Sequence, residues 1–418
     1  MSENSELLKD PSEVITEKII VTSRGKSYDI RTLAIQTVIY EDIFSNMMTG
    51  YIVVSDATNF INKVPFSGLE QITLSFRTPG FRTERIQRTF YVTSVSERAI
   101  AEKEQGYVIN FISVEAVSDN VLRISKKFSG TTHSIVKKVF DDYLKDKKNL
   151  VIKENHVTSL SAVPTFWSPL KFINWICNRS YKQAPNVLFF EGNKNFYLAS
   201  IEGLIRDGDT VFDTYSFLPK GNTDLNVSNK YKSITRMSVI PYMDVFRAQD
   251  YGYYTSKLIT HDITLKQYQE FSHDQYEYHK KVYNLHERGD TQTFPKTIPK
   301  NADAYRRVRT KQYNMFEENK DPMYETWVMQ RNSLMYEASN LRFSIEVPGR
   351  TDIEVGKVID VLIPKPIAKA LEGNASTADY LDPYLSGKYL ITSIRHQFTI
   401  NKHEMTMEIM KDSFKQPL

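Results

Sequence analysis

At 418 residues the chain is too long for one small core, which predicts roughly two to four domains. Hydrophobic residues at 41% and charged residues at 25% are a globular balance and exclude a disordered or fibrous chain. Fifty-four Lys and Arg against 50 Asp and Glu leave +4, far below the concentrated excess with which a dedicated nucleic-acid binder holds phosphate.

Cys177 is the only cysteine, so an internal disulfide framework and a Cys-cluster zinc site are excluded. Met1 to Pro11 is polar and acidic and lacks the apolar centre of a signal peptide. The apolar runs are too short for a membrane-spanning helix. These features predict a soluble protein of a reducing compartment.

The first part of the chain reads as β. Val14 to Val21, Ala34 to Ile39, Tyr51 to Val54, Ile72 to Phe76, Phe90 to Val95 and Tyr107 to Val114 are β-branched or aromatic runs separated by turn residues. Ile72, Leu74 and Phe76 alternate with polar neighbours, the period of a half-buried strand. Asp56 opens a short helix over Asn59 to Ile61. These elements predict a barrel or sandwich.

The texture changes at Gly130. Ile135, Val136, Val139, Phe140 and Leu144 share one face of an amphipathic helix, and Ser168-Pro169 is a cap followed by a first-turn proline. Asn186 to Phe190 and Phe196 to Ala199 flank a Gly192–Asn195 turn, a hairpin signal. Strand patterns return over Ile234 to Tyr242 and Tyr254 to Leu265. A polar, tyrosine-rich stretch at 267–325 carries no assignable pattern. A helix at 324–338 and strands at 341–347, 355–363, 387–398 and 404–410 complete the chain.

Two segments repeat. Tyr91-Val92-Thr93-Ser94-Val95 matches Leu390-Ile391-Thr392-Ser393-Ile394. Each is followed by an alternating strand (Tyr107, Ile109, Phe111; Met405, Met407, Ile409) and preceded by a Gly-led one, at Gly68 and Gly356. The pattern predicts two copies of one β domain, an arrangement that supplies assembly surfaces rather than an active site.

No catalytic constellation emerges. Arg24-Gly25-Lys26-Ser27 lacks the upstream glycine of a P-loop and is not followed by a helix. His396 and His403 sit on a predicted hairpin with Glu404 nearby, without an evident third metal ligand. His261-Asp262 lies within a strand, where adjacent side chains diverge. His273, His279 and His286 read as a solvated face. Cys177 lies on the apolar side of its helix. Asp141-Asp142 and Glu317-Glu318 sit in charged contexts that would not split their pKa values. Arg288-Gly289-Asp290 is too short a string to carry weight. The expectation is a non-enzyme without catalytic, cofactor-binding or metal residues and without a cofactor. The 25 tyrosines, with Tyr242, Tyr251, Tyr253 and Tyr254 clustered, suit either interfaces or ordinary strand faces.

The chain also resembles a known family, the baseplate hub (tail hub) proteins of contractile phage tails, related to the N-terminal hub part of VgrG spike proteins. The residues carrying the likeness are Tyr40 to Phe44 with Gly50 to Phe60, Pro65 to Glu70, Thr165 to Leu170 with the Phe189 to Leu198 hairpin, and Ser386 to His396 with Met407 to Asp412. The resemblance implies a mainly β, α+β chain with two tail-tube-like β-barrel domains and an inserted α+β middle domain. The boundaries expected on it are 1–128 for the first barrel, 129–230 for the middle domain and 231–266 for the first strands of the second barrel. An excursion at 267–325 and the remainder of the second barrel at 326–418 follow. It further implies a homotrimer whose barrels form a pseudo-sixfold ring, adapting a sixfold tail tube to a threefold central spike. The implied partners are that spike, the tube or tube-initiator protein, and baseplate wedge and tape-measure proteins. DNA would pass through the channel without specific binding, and no part would enter a membrane. The implied location is the virion's tail baseplate, after assembly in the host cytoplasm. Two other readings are a tail-associated cell-wall hydrolase and a receptor- or carbohydrate-binding module.

Overall fold

The computed structural model describes residues 10–414 apart from 65, 80–84, 103, 146, 182–183, 208–210, 218–229, 241–243, 264–265, 287–304, 311–324, 326, 339–340 and 366–380. The elements run β1 (Ile15–Ser23), β2 (Lys26–Asp29), β3 (Ala34–Asp42), β4 (Thr49–Asp56), α1 (Phe60–Lys63), β5 (Gln71–Arg77), β6 (Arg85–Ile100), β7 (Gln105–Ser113) and α2 (Val114–Val121). The middle part holds β8 (Phe128–Thr131), α3 (Thr132–Val139), a π-helical turn at Phe140–Leu144, β9 (Leu150–Ile152), β10 (Ser159–Ala162), α4 (Pro169–Cys177), β11 (Val187–Glu191), β12 (Phe196–Ser200) and α5 (Ile201–Asp207). Next come β13 (Thr214–Phe217), β14 (Ser233–Ile234), β15 (Arg236–Ile240), α6 (Val245–Asp250), β16 (Thr255–Asp262), β17 (Gln267–Asp274), α7 (Gln275–His279), β18 (Arg306–Thr310) and α8 (Val328–Glu337). The chain closes with β19 (Arg342–Pro348), β20 (Val358–Leu362), β21 (Gly387–Thr399) and β22 (His403–Met410).

Local chemistry explains many of these elements. Asp56 accepts from the amides of Thr58 at 2.9 Å and Ile61 at 3.1 Å, tying β4 to the start of α1. Ser168 caps α4 by accepting from Lys171 N, with Pro169 in the first turn. Arg24 and Gly25 both have positive φ (48° and 78°) and join β1 to β2 as a two-residue hairpin turn. The Gly25-Lys26-Ser27 string is therefore hairpin, not phosphate loop.

Three large cores follow. The first is built from β1 and β3–β7, around Ile52, Phe76, Phe90 and Ile109. The second is built from β19–β22 with α5, around Phe343, Ile359, Ile391 and Met407. The third joins α3 and α4 to β11 and β12 through Phe140, Phe172, Ile173 and Phe189. One large sheet links the first two cores in the order β14-β13-β20-β21-β3-β4-β7-β6-β5-β1-β2, with β22, β19 and β15 branching from β21.

One assignment needs correction. β16 falls within 231–266, expected to begin the second barrel, but it pairs with β17 and β18 in a separate three-stranded sheet. β16 directly follows Tyr253 and Tyr254, which pack with Ala248, Tyr276 and Tyr336 in a small core apart from that of β19–β22. The excursion thus starts before 267, and its first half has regular structure. Glu317, Glu318, Tyr242 and the Arg288–Asp290 string lie outside the described residues.

Candidate functional site

The internal repeat is visible in backbone detail. β6 pairs with β7 and β21 with β22, and both pairs carry a bulge at the same place, between Val92 and Ser94 and between Ile391 and Ser393. The bulged threonines behave alike: Thr93 Oγ1 donates to Asn110 O at 3.2 Å, and Thr392 Oγ1 donates to Glu408 O at 3.1 Å. Val92 exchanges backbone bonds with Leu69 and Glu70, and Ile391 with Gly356 and Lys357. Leu69 and Gly356 share a positive φ, 66° and 80°, so these two are the equivalent residues rather than Gly68 and Gly356. Carrying the pairing outward makes β4 equivalent to β19 and β3 to β15.

The two copies meet where β21 lies antiparallel to β3, with Arg395 opposite Tyr40, His396 opposite Ile39 and Phe398 opposite Thr37. Side chains cross this joint in both directions. Phe398 enters the first core and stacks on Phe76 (centroids 3.8 Å apart, planes 5° from parallel), while Ile43 enters the second. His396 and His403 do face one another, Nδ1 to Nε2 at 3.0 Å, and both are fully buried. The acid beside them is Glu41, 3.6 Å from His396 Nε2, whereas Glu404 is exposed. Burial, reinforced by His396, holds the His403 imidazole well below its usual value and hence neutral. Among the described residues no group of three His, Cys, Asp or Glu side chains is placed to hold a metal ion.

The same joint occurs in only one of its two possible places. In the first copy, β6 beyond Val92 pairs on one edge with β7 and has no described partner on the other. In the second copy, β15 pairs, among the described residues, with β19 alone. The register makes Ile100 the counterpart of Phe398 and Val239 the counterpart of Ile39. Ile39 is fully buried at the filled joint, whereas Val239 is 51% exposed and Ile100 is 74% exposed. Among the described residues two strand edges, complementary by internal equivalence, thus lie open with apolar residues on them.

A second charged assembly ties the middle region to this frame. Lys148 pairs with Glu191, Arg88 reaches Asn193, and Glu191 accepts from the Met48 amide at 2.8 Å. Burial opposes the charge on both cations, and Glu41, Glu191, Glu354 and Glu115 surround Arg88. This is a structural junction of buried opposite charges. Sequence reasoning missed it because its members come from distant segments.

The other singled-out residues separate. His261 is exposed and Asp262 buried on opposite faces of β16. Burial pushes the Cys177 thiol up to about 12, which makes it inert. Asp141 pairs with Lys137 at 3.1 Å on the surface. His273 and His279, expected on a solvated face, are buried. Tyr253 and Tyr254 form a small core rather than an outer interface.

No family model matches the sequence, and no curated protein matches it. Solved structures do. The tail protein from Neisseria meningitidis MC58 superposes with TM-score 0.54 at 10% identity, covering 94% of this chain and 96% of its own. The 43 kDa tail protein of prophage MuSo2 from Shewanella oneidensis gives 0.53 at 10% identity, covering 94% and 98%. A Francisella PdpA–VgrG complex is similar at 0.49 and 11% identity over 96% of this chain and 58% of that one. Nearly the full length of both tail proteins is matched, and the mainly β, α+β fold of this chain is the fold of tail proteins.

Proposed function

We propose that the chain is a structural subunit of a tail baseplate hub, and that copies join head to tail through the open edges of β6 and β15. The observation carrying this reading is the β21·β3 joint: a geometry already realised once within the chain, with both halves of a second such joint left unfilled. Each new joint would bury Ile100 and Val239, worth about 1.5–3 kcal/mol for each side chain fully covered. A head-to-tail interface closes into a ring when its rotation permits. Two repeats per chain in a trimer give a pseudo-sixfold ring, matched to a sixfold tube on one side and a threefold spike on the other.

The sheet face turned away from the two cores suits the wall of a DNA channel. Arg342 lies 3.5 Å from Glu408 and Arg236 lies 3.7 Å from Glu346, so these cations are already answered by carboxylates. Tyr40, Ser344 and Thr406 add polar, uncharged side chains between them, and Arg395, opposite both Tyr40 and Thr406, adds one further cation. Phosphate passing such a wall meets few unneutralised cations to release counterions against.

A paired-cysteine experiment tests the register. By equivalence with Arg395 and Tyr40, Ser96 of one copy lies opposite Ile240 of the next. Directly opposed residues of antiparallel strands have Cα atoms about 4.5–5.5 Å apart, within disulfide reach. Ser96→Cys combined with Ile240→Cys is expected to give covalent oligomers ending at trimer under mild oxidation. Ser96→Cys with Arg236→Cys, four residues out of register on β15, is expected to give none. Equal cross-linking of both pairs contradicts the proposed joint.

A further inference from the structure

The stretch from α6 to α8 folds around its own small core and meets the rest of the chain at a crowded, polar junction. α7 supplies His279, α8 supplies Glu337, α5 supplies Glu202, and the end of β22 supplies Asp412 and Ser413. Between them lies a cavity of about 20 Å³, room for a single water, lined by all three carboxylate residues. Glu202, Glu337 and Asp412 are each no more than 5% exposed.

The contacts are specific. His279 Nδ1 is 2.7 Å from Glu337 Oε1, and Gln275 Nε2 donates to Glu337 Oε2 at 2.8 Å. The Leu285 amide donates to both oxygens of Asp412, at 3.1 and 3.3 Å. Ser413 Oγ donates to Asp412 Oδ1 at 2.8 Å and accepts from the His286 amide at 3.1 Å. Tyr283 N donates to Glu202 Oε1 at 3.4 Å. Glu154 and Arg206, themselves 3.4 Å apart, face Glu202 from the other side, and Tyr278 stands near both Glu202 and Glu337. The Lys411 ammonium donates to the carbonyls of Tyr384 and Ser386 at 2.7 and 2.9 Å.

We propose that this junction is a proton-operated latch, holding the α6–α8 segment against the second barrel more tightly in acid than at neutral pH. Leu285 and His286 are its moving side, Asp412 and Ser413 its fixed side, and the His279–Glu337 pair its hinge pin.

The electrostatics support the direction. Burial, with Glu337 close by, raises Asp412 from 3.8 to about 6, and burial raises Glu202 as well. Opening the junction returns Asp412 to water and to its ordinary value. The closed form therefore gains as pH falls below about 6, and the gain is complete near 3.8. For His279 burial opposes the charge, but Glu337 and Asp412 more than offset it and raise its value above 6.5. Its contribution is full below 6.5 and is lost as pH rises through the raised value. Both groups act in the same sense. From Asp412 alone, opening becomes about tenfold rarer at pH 5 than at pH 7.

Hydrogen exchange on the full-length protein tests this. Protection of the Leu285 and His286 amides, corrected for the intrinsic rate, is expected to be at least about tenfold greater at pH 5 than at pH 7. Amides of Ile52 and Val54 in the first barrel serve as a control and are expected not to follow. Asp412→Asn keeps acceptors for Leu285 and Ser413 while removing the titration, and is expected to abolish most of the difference. Equal protection at both pH values overturns the latch, as does a parallel rise at Ile52 and Val54. A full difference surviving in Asp412→Asn overturns Asp412 as its switch. If that variant does not fold, the comparison in the unaltered protein still decides.

Discussion

Gly349 and His403 show how tightly single residues are constrained where the two barrels meet. A Cβ on Gly349 would lie 2.1 Å from His403 Cγ and 2.4 Å from the His403 carbonyl oxygen, which is backbone and cannot swing aside. Gly349→Ala is expected to cost about 1–3 kcal/mol or more, read as a fall in the denaturation midpoint. His403 itself makes a pH prediction. Its folded value lies well below 6.5, so the unfolded chain takes up a proton that the folded chain refuses. Its contribution to stability is full above 6.5 and falls by about 1.4 kcal/mol per pH unit below that, until the folded value is reached. Asp412 and His279 act in the opposite sense over the same range, so the check is a difference: in urea denaturation from pH 7 to 5 the unaltered protein is expected to lose more stability than His403→Phe. The bulged threonines form a matched pair of tests. Thr392→Val loses a buried bond and should cost about 1 kcal/mol, whereas Thr93→Val, in an exposed strand, should cost less.

At the scale of elements, strands with alternating burial were the most legible part of the sequence. Ile72, Leu74 and Phe76 alternate because β5 has one face in the first core, and the cap at Ser168-Pro169 announces α4 for equally local reasons. The repeated Val-Thr-Ser and Ile-Thr-Ser strings also had a local cause, since each places a threonine on a bulge. What stayed hidden depends on distant partners. Nothing within β16 says that it pairs with β17 and β18 rather than with the second barrel, because both choices bury Leu258. α2, with its short span and mixed face, gave no helix signal after the run from Tyr107 to Val114. His279 read as solvated because its partner Glu337 comes from α8, and His273 because its near neighbour Gln275 is itself held by Ser333 and Glu337 of that helix. The open edges of β6 and β15 make an element-level prediction. Ile100→Arg or Val239→Arg leaves each barrel folded, because neither side chain belongs to a described core, yet each should weaken self-association by at least about tenfold. Sedimentation across a concentration series, with circular dichroism as the control for folding, reads both effects.

For the whole molecule, the proposal is that one joint, made once within the chain, is made again between copies. The chain carries two copies of one β arrangement, joined through β21 and β3, and leaves the matching edges of β6 beyond Val92 and of β15 without a partner among the described residues. Neighbouring copies satisfying those edges would remove the exposed apolar strands that a lone subunit presents. The net charge of the whole chain is only +4, and Arg342 and Arg236 lie beside Glu408 and Glu346, a balance that a passage not gripping DNA would need. The most direct test is the mass of the assembled protein in solution, measured by light scattering over a range of concentrations. The account predicts a species of three times 48.5 kDa that persists on dilution and is lost in Ile100→Arg. A particle of 48.5 kDa at every concentration, or a trimer indifferent to Ile100→Arg and Val239→Arg, would contradict it.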